Sequence, residues 1–215
     1  MKLGVVGVGV VGGAVYKYFE SQNLTNNKVV GYDKYRDEFS NFDALLDCDA
    51  LFLCLPTLYK HELKEYDKSA IHDVCQRLTR AKYNGLVVIK STVEPGTTEY
   101  LSKFYAGLDF CHNPEFLTAR TAYDDFANQT HIVLGKPSKT DDVKFDRLSR
   151  LLRACWPKAD YSTGSSTDTE CMKIFCNSFY AQKVSIFNEF YQVCQHNKLD
   201  YNHVLEMMLK NGWIN

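Results

Sequence analysis

Short runs of consecutive apolar residues alternate along this chain with longer stretches in which apolar positions recur every three or four residues. That alternation predicts buried strands separated by helices. The first run, Leu3 to Val6, stops at Gly7, passes through Gly7-Val8-Gly9-Val10-Val11-Gly12 and gives way to a helix expected near Val11. Val29 to Tyr32 reads as a second strand, followed by a polar turn and a short helix around 41–47. Ala50 to Leu55 reads as a third strand, which must stop at Pro56 because proline cannot donate to a sheet ladder. Helical spacing of Ile71, Val74, Cys75 and Leu78 predicts a helix over 66–83 closed by Asn84-Gly85. Further strands are expected at Leu86 to Lys90, Leu108 to His112 and His131 to Gly135, the last of them closing this half of the chain, and a helix at Asp141 to Arg153. The pattern as a whole is α/β, a Rossmann-like doubly wound parallel sheet.

The segment Tyr161 to Ser166 reads as a linker, which gives an expected first domain over 1–160 and a second opening at 166 and running to 215. Thr167-Asp168-Thr169-Glu170 has the form of a capping box before a helix reaching about Asn197. Apolar residues at Met172, Phe175, Phe179, Val184, Phe187 and Phe190 cover more than one face of that helix, so burial between the two halves or against a second subunit is expected. Lys173 and Asn177 stand four apart and share a face near its start.

The glycine pattern is where chemistry first enters. Glycines at the strand-to-helix turn allow tight backbone geometry and close approach of a pyrophosphate, while the helix N-terminus offers free N–H groups to that anion. Asp33 follows Gly12 by about twenty residues, where an acid accepts hydrogen bonds from an adenosine ribose. Gly7, Gly9, Val10, Val11, Gly12 and Asp33 are therefore expected to bind a dinucleotide. Asp33 repels a 2′-phosphate, which favours NAD over NADP, although Lys34 and Arg36 beside it soften that choice. Thr57, just past the third strand, is placed to reach the cofactor, and a plain turn threonine would occupy the same position.

The remaining composition narrows the picture. A net charge of -1 over 215 residues without a basic stripe argues against nucleic acid or an anionic membrane as partner. The apolar runs are strand-sized, so no transmembrane helix is expected, and the glycine-broken opening does not read as a signal peptide. A cytoplasmic protein is expected. The eight cysteines lie at apolar positions without metal-ligand spacing, so they read as small core residues and no structural metal is expected.

Taken together, GVVGVGVVGGAV, Asp33, LCLPT, KSTVEPGTT, NPEFLTARTAYDDF with HIVLG, and ECMKIFCNSFYAQKVSIFNE resemble the UDP-glucose/GDP-mannose dehydrogenase family over nearly the whole chain. Members of that family oxidise the C6 alcohol of a nucleotide sugar to a carboxylate, passing two hydrides in succession to NAD. The resemblance implies that Val11, Asp33, Thr57 and Thr92 line the cofactor and that Thr92 helps hold a catalytic water. It further implies acid–base work for Glu115, and it places Lys173 and Asn177 around the reacting oxygen of the sugar. An ammonium and an amide on one helix face suit that task, since one such donor is worth roughly 10² to 10³ in rate. The resemblance also implies UDP-glucose oxidised to UDP-glucuronate for polysaccharide biosynthesis, and a homodimer through the 167–197 helix.

Two departures qualify the resemblance. Where many relatives continue NPEFL-x-E, this chain has Thr118-Ala119. The family's glycine-rich motif with the nucleophilic cysteine of the second oxidation does not occur, nor does the C-terminal substrate domain; the chain alone is therefore expected to bind NAD without completing both oxidations. Cys176, on the face of Lys173, is the nearest substitute, against a plain core role. Two other readings stand beside this one. One is a 3-hydroxyacid dehydrogenase of the hydroxyisobutyrate or 6-phosphogluconate type, and the other a non-catalytic NAD-binding module or partner subunit.

Overall fold

A computed structural model describes residues 1–22 and 29–212. In chain order the elements are β1 (Leu3–Val6), α1 (Val10–Ser21), β2 (Val30–Tyr32), β3 (Ala50–Leu53), β4 (Tyr59–Lys60), β5 (Glu65–Tyr66), α2 (Ser69–Arg80), β6 (Leu86–Ile89) and α3 (Thr97–Phe104). They continue with β7 (Asp109–His112), α4 (Ala122–Ala127), β8 (His131–Lys136), α5 (Asp142–Cys155), β9 (Asp160–Ser165), α6 (Ser166–His196) and α7 (Tyr201–Lys210).

The seven-stranded sheet has the order β2-β1-β3-β6-β7-β8-β9. β1, β3 and β6 are buried at every position, because helices cover both faces and a strand in that setting needs apolar side chains on both. Alternate residues divide between two cores. Ala50, Phe52, Leu86 and Val88 pack with Val15 of α1, Phe126 of α4 and Leu148 of α5. Leu51, Leu53, Val87 and Ile89 pack on the other face with Ile71 and Leu78 of α2 and Leu101 of α3. The doubly wound arrangement expected from the apolar pattern is present, and it aligns the carboxyl ends of β1, β3, β6 and β7 along one edge of the sheet, where open α/β sheets hold their ligands.

Five local expectations are corrected. The sheet is not wholly parallel: β8 meets β7 antiparallel, by the single pair His112 and Gly135, and β9 then runs parallel to β8. An apolar run specifies a strand and carries no direction, and His131 to Gly135 is not the last strand. The segment read as a linker, Tyr161 to Ser166, is mostly β9, a largely exposed edge strand whose polar residues hide its periodicity. The helix expected over 66–83 is shorter, since Tyr66 pairs with Tyr59 in a small hairpin. The expected short helix at 41–47 is a 3-10 turn at Asp43–Leu45.

The capping box also lies two residues earlier than the sequence suggested. Ser165 Oγ accepts the Asp168 N–H at 3.1 Å, and the Asp168 carboxylate accepts the Ser165 N–H at 3.1 Å, which is the reciprocal pair that starts α6. Glu170 is thereby released for another task, described below.

The chain divides into one compact unit over Met1–Ile174 and another over Phe175–Asn215. In the second, α7 is capped by Asp200, whose side chain accepts from the Asn202 and His203 N–H groups, and Tyr201 meets Tyr191 edge-on at 5.4 Å. Phe175, Phe179, Val184 and Phe190 of α6, expected to be buried between the two halves or against a second subunit, are exposed in the single chain, as is Tyr180.

Candidate functional site

The glycine turn after β1 is sterically specified. Gly7 has φ of +85°, which side-chain-bearing residues seldom adopt, and a Cβ on it would lie 2.6 Å from the Cys54 carbonyl oxygen. Gly12 sits in the first turn of α1 directly against this loop, where a Cβ would fall 1.8 Å from the Gly7 carbonyl oxygen. A Cβ on Gly9, by contrast, would meet nothing within 4 Å. Gly7 and Gly12 thus build the turn, and Gly9 leaves open space at the N-terminus of α1, where the first N–H groups lack intrahelical partners.

Asp33, just past β2, has one carboxylate oxygen on the Val8 N–H at 2.8 Å and the other on the Tyr35 N–H at 2.9 Å. The acid expected to read a ribose therefore also fixes the glycine loop to the end of β2. Gly7, Gly9, Val10, Val11 and Asp33 line one cleft of about 780 Å³, completed by Tyr32, Cys54, Leu55 and the first turns of α2, among others. Its size, its glycine floor and a cradle that Cβ atoms would fill suit a dinucleotide.

Thr57 and Thr92, which follow β3 and β6, are joined by a hydrogen bond of 2.6 Å from the Thr57 hydroxyl to the Thr92 carbonyl. Ser91 reinforces the junction, accepting the Leu55 N–H at 2.9 Å and donating to the Leu55 carbonyl at 2.8 Å.

Beyond β7, Glu115 and Lys173 form an ion pair at 3.1 Å in which the lysine side chain is 5% and the glutamate side chain 16% exposed. Lys173 also donates to the main-chain carbonyl of Glu115, and the Glu115 carboxylate accepts the Leu117 N–H at 2.6 Å. Phe116 lies 5.0 Å from the Lys173 ammonium. Cys54 lines the cleft, whereas Glu115, Lys173, Thr57 and Thr92 are not among its lining residues; Glu115 follows β7, whose carboxyl end lies along the same sheet edge as that of β1. Burial pushes the Cys54 thiol up to about 12, so it stays protonated at neutral pH and is a poor nucleophile. Asn177 is exposed on α6 and belongs to the second compact unit.

Sequence reasoning missed the roles of three buried polar residues. Glu170, fully buried, accepts the Gly96 N–H at 2.6 Å, the Thr98 N–H at 2.8 Å and the Thr98 hydroxyl, so it caps α3 from 72 residues away. One turn before Lys173, it ties the helix carrying that lysine to the loop that follows Thr92. Lys90 directly follows β6, and its ammonium donates to Asn113. A lysine closing the apolar run Val87-Val88-Ile89 was the available signal for it. The third residue is His112, at the end of β7.

His112 is fully buried, and burial together with Lys90 and Lys173 holds it down to about 3. The Thr169 hydroxyl donates to the Ser166 carbonyl at 2.9 Å and so accepts from His112 Nδ1 at 2.8 Å; this assigns the proton of the neutral ring to Nδ1. Below about 6.5 the unfolded chain takes a proton that the folded chain refuses until about pH 3, so stability falls as pH falls through that window, by up to about 1.4 kcal/mol per pH unit. Glu170, whose carboxyl burial holds above its ordinary value, acts in the opposite sense. Urea unfolding at pH 7 and pH 4.5, taken as about two units of this window, is expected to show a larger acid loss for the native chain than for His112→Asn. Equal losses would remove His112 as the cause.

Among the described residues no helix is long and apolar enough to cross a membrane, and no group of three or more His, Cys, Asp or Glu is placed to hold a metal.

The profile of the UDP-glucose/GDP-mannose dehydrogenase family, NAD binding domain, matches residues 34–154, and that of the family's central domain matches 167–215. A UDP-glucose 6-dehydrogenase of Haloferax volcanii is 33% identical over 78% of this chain and 42% of its own length. A GDP-mannose 6-dehydrogenase of Pseudomonas aeruginosa is 28% identical over 80% of this chain and 41% of its own length. Among solved structures, the fold superposes with a TM-score of 0.79 on a GDP-mannose dehydrogenase ternary complex from Pseudomonas aeruginosa, 20% identical, covering 98% of this chain and 57% of that one. It does so equally on a UDP-glucose dehydrogenase from Pyrobaculum islandicum, at 23% identity over 96% and 56%. The chain thus spans about half the length of the relatives it matches.

Proposed function

The chain belongs to the UDP-glucose/GDP-mannose dehydrogenase family and carries its NAD-binding domain; from that premise we propose that it serves oxidation of the C6 alcohol of a nucleotide sugar, UDP-glucose to UDP-glucuronate. The observation that supports this most is the buried Lys173–Glu115 pair beyond β7, at the sheet edge on which β1 runs into the glycine turn. NAD held by the turn at Gly7 to Gly12 and by Asp33 would supply the hydride acceptor. Thr57 and Thr92 lie at the strand ends where a cofactor passes toward the pair.

The roles follow from the groups. Lys173 presents an ammonium to the oxygen that becomes negative as its proton is taken and that forms the carbonyl as hydride leaves its carbon, and a low-dielectric site strengthens that contact. Glu115, already hydrogen-bonded to Lys173, takes or returns the proton of the hydroxyl. For Asn177, in the second compact unit, the family likeness supports a role as an amide donor, and Thr92 holds the water needed after oxidation. The exposed aromatic face of α6 supports a homodimer through the 167–197 helix. The protein would act in the cytoplasm, in the supply of polysaccharide precursors.

Incubation with NAD and, separately, UDP-glucose, GDP-mannose and 3-hydroxyisobutyrate tests the reading. NADH is expected from a nucleotide sugar, with UDP-glucose fastest. NADH from 3-hydroxyisobutyrate alone would favour a 3-hydroxyacid dehydrogenase, and NAD binding without turnover of any alcohol would favour a binding module.

A further inference from the structure

Lys90 is 2% exposed, and among the described residues its ammonium has no carboxylate within ion-pair distance. Among the described residues it donates only to Asn113, at 3.0 Å to Oδ1 and 3.3 Å to the main-chain oxygen, with the Phe126 ring 5.3 Å away. A buried ammonium without a counter-charge is an unfavourable arrangement that two neutral acceptors and an aromatic face only partly offset. Burial disfavours the charged form and holds the Lys90 pKa down to about 8.

What the arrangement achieves is seen at Asn113. Its N–H donates to the Ile89 carbonyl at 2.9 Å and its side-chain amide to the Val133 carbonyl at 2.8 Å, so both of its nitrogens are anchored and Lys90 donates to both of its oxygens. Pro114 follows, with φ fixed by its ring, and then Glu115, whose main-chain and carboxylate oxygens are both held by Lys173. Two ammonium groups from different elements therefore hold the main-chain carbonyls at the two ends of one stiff tripeptide. We propose that Lys90 is a positioning residue: by holding Asn113 it sets the turn that presents the Glu115 carboxylate to Lys173.

This role rests on the reading of Glu115 and Lys173 as the reacting pair, and it is testable without turnover. The test is the coupling between Glu115→Gln and Lys173→Met, measured from urea unfolding of the full chain without cofactor, first with Lys90 present and then in Lys90→Met. With Lys90 the coupling is expected to be about tenfold in the unfolding constant, falling below about threefold in Lys90→Met. A lysine that serves stability alone lowers all four variants by one factor and leaves the coupling intact, so an unchanged coupling overturns the proposal however far the midpoint moves. Should Lys90→Met fail to fold, the same cycle in Lys90→Gln, which keeps N–H donors on a shorter side chain, is expected to give a reduced coupling, and full coupling there overturns it equally. Neither NAD binding nor sugar oxidation enters the cycle, so a failure of the proposed activity is read separately.

Discussion

Gly12→Ala is expected to destabilise the first compact unit by about 3 kcal/mol or more, a fall of roughly 6–12 °C in its thermal midpoint, and to abolish NAD binding. The added Cβ would stand 1.8 Å from the Gly7 carbonyl oxygen, and backbone cannot swing aside as the end of a side chain can. Either α1 moves off the loop or the loop opens, and both destroy the turn at which a pyrophosphate would meet the helix N-terminus. Gly9→Ala is the discriminating companion. With nothing within 4 Å of its Cβ, it is expected to change stability by less than about 1 kcal/mol, yet to weaken NAD binding by filling the space left for the ligand. Differential scanning calorimetry with a dinucleotide titration separates the two effects. Equal stability losses in both variants would show that the close approach at Gly12 is not what the turn requires.

Lys173→Ala is expected to cost about 3–5 kcal/mol in unfolding free energy, because it leaves the largely buried Glu115 carboxylate without its counter-charge. Lys173→Met combined with Glu115→Leu is expected to recover much of that loss, since an apolar pair of similar volume replaces a buried ion pair at little net cost. In catalysis the single change is expected to lower the rate of NADH formation by roughly 10² to 10³ at saturating substrate. A stability loss under about 1 kcal/mol would mean that the pair behaves as a solvent-screened contact and would weaken its assignment as a reacting pair.

What was legible in the sequence was whatever short-range pattern carries. The strands buried on both faces announce themselves as continuous apolar runs, and the glycine turn reads directly because its steric demands fall within a few residues. Direction and long-range partnership do not read in this way. Nothing in His131 to Gly135 says that β8 meets β7 antiparallel, and the polar sequence of β9 looks like a linker because an exposed edge strand needs no apolar face. Glu170 matched a capping box by spacing, yet its carboxylate caps a different helix 72 residues away. Lys173 and Glu115 were picked out by family likeness, since no local pattern joins residues 58 apart. Lys90 and His112 stood in plain sight at strand ends, but only burial separates them from ordinary surface residues.

Isothermal titration of NAD into the full chain, with Gly9→Ala as comparison, tests the central claim most directly. The expected result is saturable binding at one site by the native protein and clear weakening in the variant at unchanged thermal stability. Absence of NAD binding, or binding of equal affinity to Gly9→Ala, would contradict the assignment of the glycine cleft as the cofactor site.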